Sequence, residues 1–124
     1  MKKESLKWII LIDPFKKEIS RIKQDVNNID SIKKTLNCKW LEQVTLLSYP
    51  KTMVLCDEMG RVDENSNKRY VQCGQHIYVN KIMLVGVENA EITDCKLSLQ
   101  DANKLTDFKH KDYIDTPIGF NWLE

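Results

Sequence analysis

The chain has 124 residues, of which 42% are hydrophobic and 30% charged, and its formal net charge is +1. This length suits one domain, and the near-neutral charge excludes the concentrated basic surface of a DNA-binding protein. No apolar run approaches the roughly 18 residues of a membrane span. The first apolar run, residues 8–12, is also too short for a signal peptide. We therefore expect a cytoplasmic protein that binds neither a membrane nor a long nucleic acid.

Four cysteines are spread along the chain, and no two of them form a C-x-x-C pair. We expect reduced thiols, because a buried free cysteine packs as a small hydrophobic side chain. Cys73 and His76 are close enough in sequence to hold one ion, but two ligands do not complete a tetrahedral zinc site. The sequence therefore predicts no metal site and no cofactor.

The N-terminal third predicts a hairpin followed by a helix. Residues 8–12 are β-branched and aromatic, which is typical of a central strand buried on both faces. Residues 16–23 follow a turn signal and are interpreted as the returning strand, the alternative being a single helical turn. Asp30 offers an N-cap to an amphipathic helix at about residues 31–37, which we expect to lie across one face of the sheet.

The middle of the chain alternates apolar runs with turn residues, which is typical of an antiparallel sheet. Strands are expected at residues 41–49, 52–56, 69–72, 77–79, 82–87 and 92–97, of which residues 82–87 form a second central strand. Asp57, Glu58 and Gly60 fit a tight turn, because glycine readily adopts a positive φ. On an extended strand the two acids would face opposite ways and could not act on one bond, although a turn could relax this. A solvated turn is the simpler interpretation of this pair.

The last helix has the clearest start signal, because the Ser98 hydroxyl can cap a backbone amide and Asp101 can reach back to it. We expect this helix to end near Leu105. Together the elements predict an α+β domain at residues 1–108, with a mainly antiparallel sheet of about five to seven strands and two short helices. Residues 109–124 form an aromatic-rich C-terminal tail that either docks on its own domain or forms an interface with a partner.

The three tryptophans have different expected environments. Trp8 and Trp40 each belong to an apolar periodic run, so we expect both in the core rather than stacked on a ligand. Trp122 alternates with Ile118 and Phe120 as residues of a strand do, and its burial is left open.

Polar side chains that suit an anionic ligand are concentrated around the start of the strand expected at residues 69–72. Arg69 offers a planar fork of donors for a phosphate, Asn67 can bond amide and base edges, and Tyr70 can stack on a base. Arg61 adds a second cation if this segment folds back. The four residues predict a site for a small, nucleotide-like ligand, the alternative being a polar loop with Tyr70 packed inward. No nucleophile or phosphate-loop motif accompanies them, so we expect a binding protein rather than an enzyme.

Four short motifs resemble one family. They are a D-E-x-G turn at residues 57–60, an N-x-R-aromatic segment at residues 67–70, an apolar strand that ends in Gly86, and a Ser-Leu helix start at Ser98. With these motifs the chain resembles an uncharacterised domain-of-unknown-function family of small proteins from bacteriophages, plasmids and other mobile elements. The resemblance covers about residues 8–108 and implies an accessory protein that blunts host defence in the host cytoplasm.

Two hypotheses for function follow. The first is a non-catalytic, anti-defence type protein that binds and sequesters a small anionic ligand through Arg61, Asn67, Arg69 and Tyr70. The alternative is an inhibitor that masks a host defence protein through the C-terminal tail and an exposed sheet edge. Under either hypothesis we expect a homo-oligomer, with a two-fold dimer as its simplest form.

Overall fold

The computed structural model describes residues 6–58 and 69–109. The strands in these ranges are β1 (Leu6–Asp13), β2 (Glu18–Asp25), β3 (Leu41–Thr45), β4 (Thr52–Asp57), β5 (Tyr70–Cys73), β6 (His76–Val79), β7 (Ile82–Glu88), β8 (Glu91–Thr93) and β9 (Thr106–Lys109). The helices are α1 (Ile29–Leu36) and α2 (Leu99–Leu105). The expected α+β class with antiparallel pairing is therefore confirmed. Neither described helix is long and apolar enough to cross a membrane.

The main sheet has six strands in the order β2-β1-β7-β4-β3, and β8 pairs with the end of β7. Strands β1 and β2 form the expected hairpin, in which Leu6 lies opposite Asp25 and Asp13 opposite Glu18. The apolar residues at the start of β7, Ile82 to Val85, are fully buried. The prediction of two central strands, β1 and β7, is confirmed, because both lie inside the sheet and carry its most apolar runs.

Each face of the main sheet packs against a different layer. On one face Ile9 contacts the cluster that contains Ile32 and Leu36 of α1. On the other face Ile10 and Ile12 pack with the second layer. This division follows from the geometry of a strand, in which successive side chains point to opposite faces. The helix expected across one face of the sheet is therefore present.

The second layer is a three-stranded sheet in the order β6-β5-β9, accompanied by α2. Val71 of β5 and Ala102 of α2 are fully buried against the main sheet. Strand β9 continues directly from α2 and pairs with β5, so that Phe108 lies opposite Val71. The sequence pattern predicted the strands but not their division into two sheets. The C-terminal residues 110–124, and with them the predicted strand-like tail, lie outside the described residues.

The predicted burial of Trp8 and Trp40 is wrong, since the two side chains are 40% and 58% exposed. Trp8 lies on the same face as Ile10, and the side chains of Arg21 and Lys23 cover its ring at 5.8 and 4.8 Å from the centroid. Trp40 lies directly before β3, which is an edge strand of the described main sheet. An apolar periodic run therefore did not ensure burial at the margins of the sheet.

The N-cap of α1 is Asn28 and not Asp30. The Asn28 side chain accepts a hydrogen bond from the Ser31 amide at 3.3 Å, while Asp30 lies in the first turn of the helix. Asn28 and Asp30 are both residue types that cap helices, and the deciding factor is that the helix begins at Ile29. The predicted cap of α2 is confirmed, because the Ser98 hydroxyl accepts from the Asp101 amide at 3.0 Å.

Candidate functional site

A cleft of about 320 Å³ lies where the edge of the main sheet meets the edge of the small sheet. Glu42 and Val44 of β3 form one side, and residues 56–58 at the end of β4 form the base. The four residues of β6, His76–Val79, form the opposite side. The cleft therefore depends on the packing of β6 over β4, which brings together residues far apart in the sequence.

Two neighbouring acids, Asp57 and Glu58, both line this cleft. The amide of Glu58 donates to the carbonyl of Trp40 at 2.9 Å, which continues the ladder between β3 and β4 beyond the last residue of β4. Asp57 is half-buried and Glu58 is exposed. The pair thus borders one cavity although its members are adjacent in sequence, and it stands beside a third acid, Glu42, on β3.

The described lining of the cleft is acidic. It includes the side chains of Glu42 and Glu58, which lie on the same face of the β3–β4 ladder, and the imidazole of His76, and it includes no lysine or arginine. Asp57 borders the cleft between Cys56 and Glu58, but its side chain lies on the other face of the sheet, where its charge acts on Cys38. A concave surface with one sign of charge concentrates the electrostatic field and attracts ligands of the opposite sign. Valine and isoleucine side chains of β3 and β6 supply the apolar remainder. The cleft therefore suits a small molecule with a cationic group and an apolar body.

Tyr78 contributes a buried polar group to the same region. Its side chain is 6% exposed, and its hydroxyl has no hydrogen-bond partner within residues 6–58 and 69–109. Burial raises the pKa of the Tyr78 phenol above its ordinary value, and the nearby Cys56, Cys73 and Glu42 raise it further. The phenol is therefore neutral at physiological pH. A buried hydroxyl without a partner costs about 1 to 3 kcal/mol, which a ligand that reached it would recover.

His76 and Cys56 stand on opposite sides of Tyr78 in the lining. The His76 ring is exposed and meets the Tyr78 ring edge-on, with centroids 6.2 Å apart and planes at 64°. The Cys56 thiol is buried and donates to the Glu42 carbonyl at 3.8 Å. In the described ranges, no three His, Cys, Asp or Glu side chains are placed to hold a metal ion. All four cysteines of the chain are free thiols.

The residues predicted to bind an anion do not line the cleft where the structure describes them. Arg61 and Asn67 lie outside the described residues, as does Gly60 of the expected turn. Arg69 is half-buried, and its guanidinium carbon lies 5.7 Å from the centroid of the Phe15 ring. Tyr70 is 5% exposed and begins β5 with its side chain packed inward. The predicted anion site therefore stays a prediction.

Sequence reasoning missed Glu42, His76 and Tyr78 as members of one site. Glu42 and Val44 lie two residues apart on one face of β3, and the sequence does not indicate what this face meets. The sequence paired His76 only with Cys73, as two possible ligands of one ion. The hairpin sets Cys73 opposite His76, with Cys73 in the core and His76 exposed at the rim. Only the long-range contact between β4 and β6 brings the three residues together.

The family model for a domain of unknown function, DUF3846, matches residues 6–110. The chain belongs to the DUF3846 family. No curated protein and no solved structure matches the chain.

The DUF3846 match spans every strand and helix in the described structure, from Leu6 of β1 to Lys109 of β9. The cleft therefore belongs to the DUF3846 domain itself and is formed within one copy of it. Membership of an uncharacterised domain family, expected from the short motifs, is confirmed. The association of this chain with phages and mobile elements stays a prediction.

Proposed function

We propose that this DUF3846 domain is a non-catalytic binding protein that holds a small organic cation in the cleft between its two sheets. One observation carries the proposal: Glu42, Glu58 and Tyr78, whose buried hydroxyl has no partner among the described residues, line a single cavity. The volume of about 320 Å³ lies at the lower end of the range for small-molecule sites. A primary amine or a guanidinium on a short carbon chain has the matching size and charge.

Each side of the cleft has a role in this proposal. Glu42 and Glu58 accept hydrogen bonds from the cationic head, since a charge-assisted bond to a carboxylate is stronger than a neutral one. The apolar side chains of Val44 and Ile77 contact the carbon chain of the ligand. A small adjustment of the Tyr78 side chain lets its hydroxyl bond the ligand. Because burial raises the pKa of this phenol, Tyr78 binds as a neutral group and does not act as a base.

The proposed ligand has the opposite charge to the one expected from the sequence. A phosphate in this cleft would lie beside the carboxylates of Glu42 and Glu58, and like charges placed close together repel each other. The anionic ligand and the anti-defence role are hypotheses that depend on Arg61, Asn67 and Arg69. The alternative inhibitor role depends on the C-terminal tail. Arg69, the described member of the first set, is not among the described residues that line the cleft.

The test is a calorimetric titration with agmatine, which has a guanidinium and an amine, and with AMP as the anionic comparison. We expect agmatine to bind, and Glu42→Gln combined with Glu58→Gln to weaken its affinity at least about tenfold. Glu91→Gln is the matched control, because Glu91 is an exposed carboxylate on β8 and is not part of the cleft. We expect this control to bind agmatine as the wild type does.

Two results would contradict the proposal. One is the absence of agmatine binding at millimolar concentration, and the other is an equal loss of affinity in the cleft variant and the Glu91→Gln control. Binding of AMP that is lost in Arg69→Ala would instead support the anionic ligand expected from the sequence.

A further inference from the structure

The lining of the cleft changes from charged at its rim to uncharged in its interior. Glu42, Glu58 and His76 are exposed, whereas Tyr78 is buried. His76 and Tyr78 lie two residues apart on β6, so their side chains share one face of the small sheet. This face is turned toward the main sheet, because Val71, which lies opposite Tyr78, packs in the core between the two sheets. Strand β6 therefore leads from the rim of the cleft to Tyr78 in the interior.

The hydroxyl of Tyr78 is the polar group at this inner end. It has no hydrogen-bond partner in the part of the chain that the structure describes. The Cys56 thiol beside it donates to the carbonyl of Glu42, and the nearby Cys73 thiol bonds with Thr106. Buried hydroxyls in native proteins are nearly always bonded, so the Tyr78 hydroxyl marks a place for a ligand atom or a water molecule.

The chemistry of a phenol restricts which ligand atom can complete it. A protonated phenol donates one hydrogen bond and therefore needs an acceptor. Burial raises the pKa of Tyr78 above its ordinary value, and this keeps the proton on the oxygen at physiological pH. An ammonium group carries donors only and cannot accept this proton. A second cationic group at the inner end would therefore leave the Tyr78 hydroxyl without an acceptor.

An anionic group is a poor acceptor at this position. The charge of Glu42 contributes to the raised pKa of Tyr78, so its field reaches the hydroxyl. A ligand carboxylate there would be repelled by Glu42 and would lose much of its hydration. The described lining offers no lysine or arginine to compensate for either cost. A neutral oxygen remains, since a hydroxyl or an amide carbonyl accepts a hydrogen bond without adding charge.

We propose that Tyr78 determines the specificity of the cleft and selects a cation with a neutral oxygen at the other end of a short carbon chain, as in an amino alcohol. The cationic head lies at the rim with Glu42 and Glu58, and the neutral oxygen accepts from the Tyr78 hydroxyl. Val44, on the same face of β3 as Glu42, contacts the carbon chain. This inference rests on the proposed function, to which it adds the chemical class of the ligand.

The test compares two ligands of similar size in calorimetric titrations. One is the amino alcohol 4-aminobutanol, and the other is pentylamine, in which a methyl group replaces the hydroxyl. We expect the wild type to bind 4-aminobutanol at least about fivefold more tightly, because pentylamine leaves a buried donor without a partner. Putrescine has an amine in place of the hydroxyl, and 4-aminobutanoate has a carboxylate at the same end. We expect both to bind more weakly than 4-aminobutanol.

The Tyr78→Phe variant removes the hydroxyl and keeps the ring. We expect it to lose the preference for 4-aminobutanol and to bind pentylamine at least as tightly as the wild type does. Without ligand we expect its thermal unfolding midpoint to equal or exceed that of the wild type, because a buried hydroxyl without a partner is destabilising.

Tyr49→Phe is the matched control. Tyr49 packs against the same core cluster as Tyr78 but is not among the described residues that line the cleft. We expect this control to keep the preference for 4-aminobutanol. The comparison of ligands on the wild type does not depend on the folding of either variant.

The inference and the proposed function fail in different ways. Binding of no amine by the wild type contradicts both. Equal binding of 4-aminobutanol and pentylamine, with both weakened by Glu42→Gln combined with Glu58→Gln, overturns the role of Tyr78 alone. A preference that persists in Tyr78→Phe, or that Tyr49→Phe loses equally, overturns it as well. Tighter binding of putrescine or 4-aminobutanoate than of 4-aminobutanol overturns the neutral oxygen.

Discussion

Arg69 and Asn80 close the open end of the β5–β6 hairpin through two reciprocal hydrogen bonds. The Arg69 amide donates to Oδ1 of Asn80 at 3.1 Å, and the Asn80 amide donates to the Arg69 carbonyl at 2.7 Å. Asn80 has a φ of 68°, in the left-handed region that asparagine tolerates better than most residues. The two hydrogen bonds hold Arg69 at the start of β5, next to Val79 of the cleft wall.

The first prediction concerns the two properties of Asn80, its side-chain hydrogen bond and its positive φ. Asn80→Gly loses only the hydrogen bond, and we expect it to lower the free energy of unfolding by about 1 kcal/mol. Asn80→Ala also places a Cβ in the left-handed region, which costs about 1 kcal/mol more. Urea denaturation of the three proteins measures the difference. Equal stability of the alanine and glycine variants would show that the positive φ is not retained in solution.

The second prediction concerns Gly86, where β7 passes close to the chain that follows β8. A Cβ at this position would lie 2.1 Å from the carbonyl oxygen of Asp94, which is backbone and cannot move aside. We expect Gly86→Ala to reduce the free energy of unfolding by at least about 2 kcal/mol. The comparison is Gly74→Ala, with a φ of 64°, where the near atom is the flexible end of the Leu46 side chain.

For Gly74→Ala we expect a smaller loss of about 1 kcal/mol, because the strain of the positive φ is its main cost. Thermal unfolding followed by circular dichroism ranks the two variants. A larger loss for Gly74→Ala than for Gly86→Ala would contradict the close approach between Gly86 and Asp94.

The third prediction separates the cap of α1 from its neighbour. Asn28→Ala removes the acceptor for the Ser31 amide, and we expect it to lower stability by about 1 kcal/mol. Asp30→Ala removes only a favourable charge in the first turn, so we expect at most about 0.5 kcal/mol. The urea unfolding midpoints of the two variants, measured at low ionic strength, show which substitution costs more stability. The reverse order would restore Asp30 as the cap that the sequence predicted.

Much of the fold followed from local patterns. The apolar runs of β1 and β7 predicted central strands because no other arrangement buries β-branched residues on both faces of a sheet. The Ser98 cap predicted the start of α2 because the bond to the Asp101 amide joins residues only three positions apart. Where a side chain and its partner are close in sequence, the sequence was sufficient to predict their contact.

The candidate site is formed by residues that are far apart in the sequence, and the sequence did not predict that they come together. Which sheet β5 and β6 join is decided by packing across the interior, and so is the placement of His76 opposite Glu42. The same limit explains Trp8, whose apolar neighbours predicted burial although its side chain is 40% exposed. Asp57 and Glu58 were identified as polar residues of interest, but their shared cleft exists only because β6 packs over β4.

The fourth prediction concerns stability in alkali. Burial raises the pKa of the Cys73 thiol from 9.0 to about 11, an effect that the hydrogen bond with Thr106 partly offsets and Cys95 reinforces. The folded protein therefore holds this proton more tightly than the unfolded chain. The resulting contribution to stability is complete below pH 9.0 and is lost progressively as the pH rises toward about 11.

We therefore expect the free energy of unfolding, measured by urea denaturation, to fall between pH 8.5 and 10.5 by more in the wild type than in Cys73→Ala. The difference between the two falls should be up to about 2 kcal/mol. Other groups also titrate in this range, so the difference between the two proteins is the quantity that isolates Cys73. Cys38 has a pKa raised to about 11 as well, chiefly by burial, but it is only partly buried. Cys38→Ala should therefore remove less of the pH dependence than Cys73→Ala. An equal alkaline slope in the wild type and Cys73→Ala would mean that the Cys73 thiol is accessible to solvent in the folded protein.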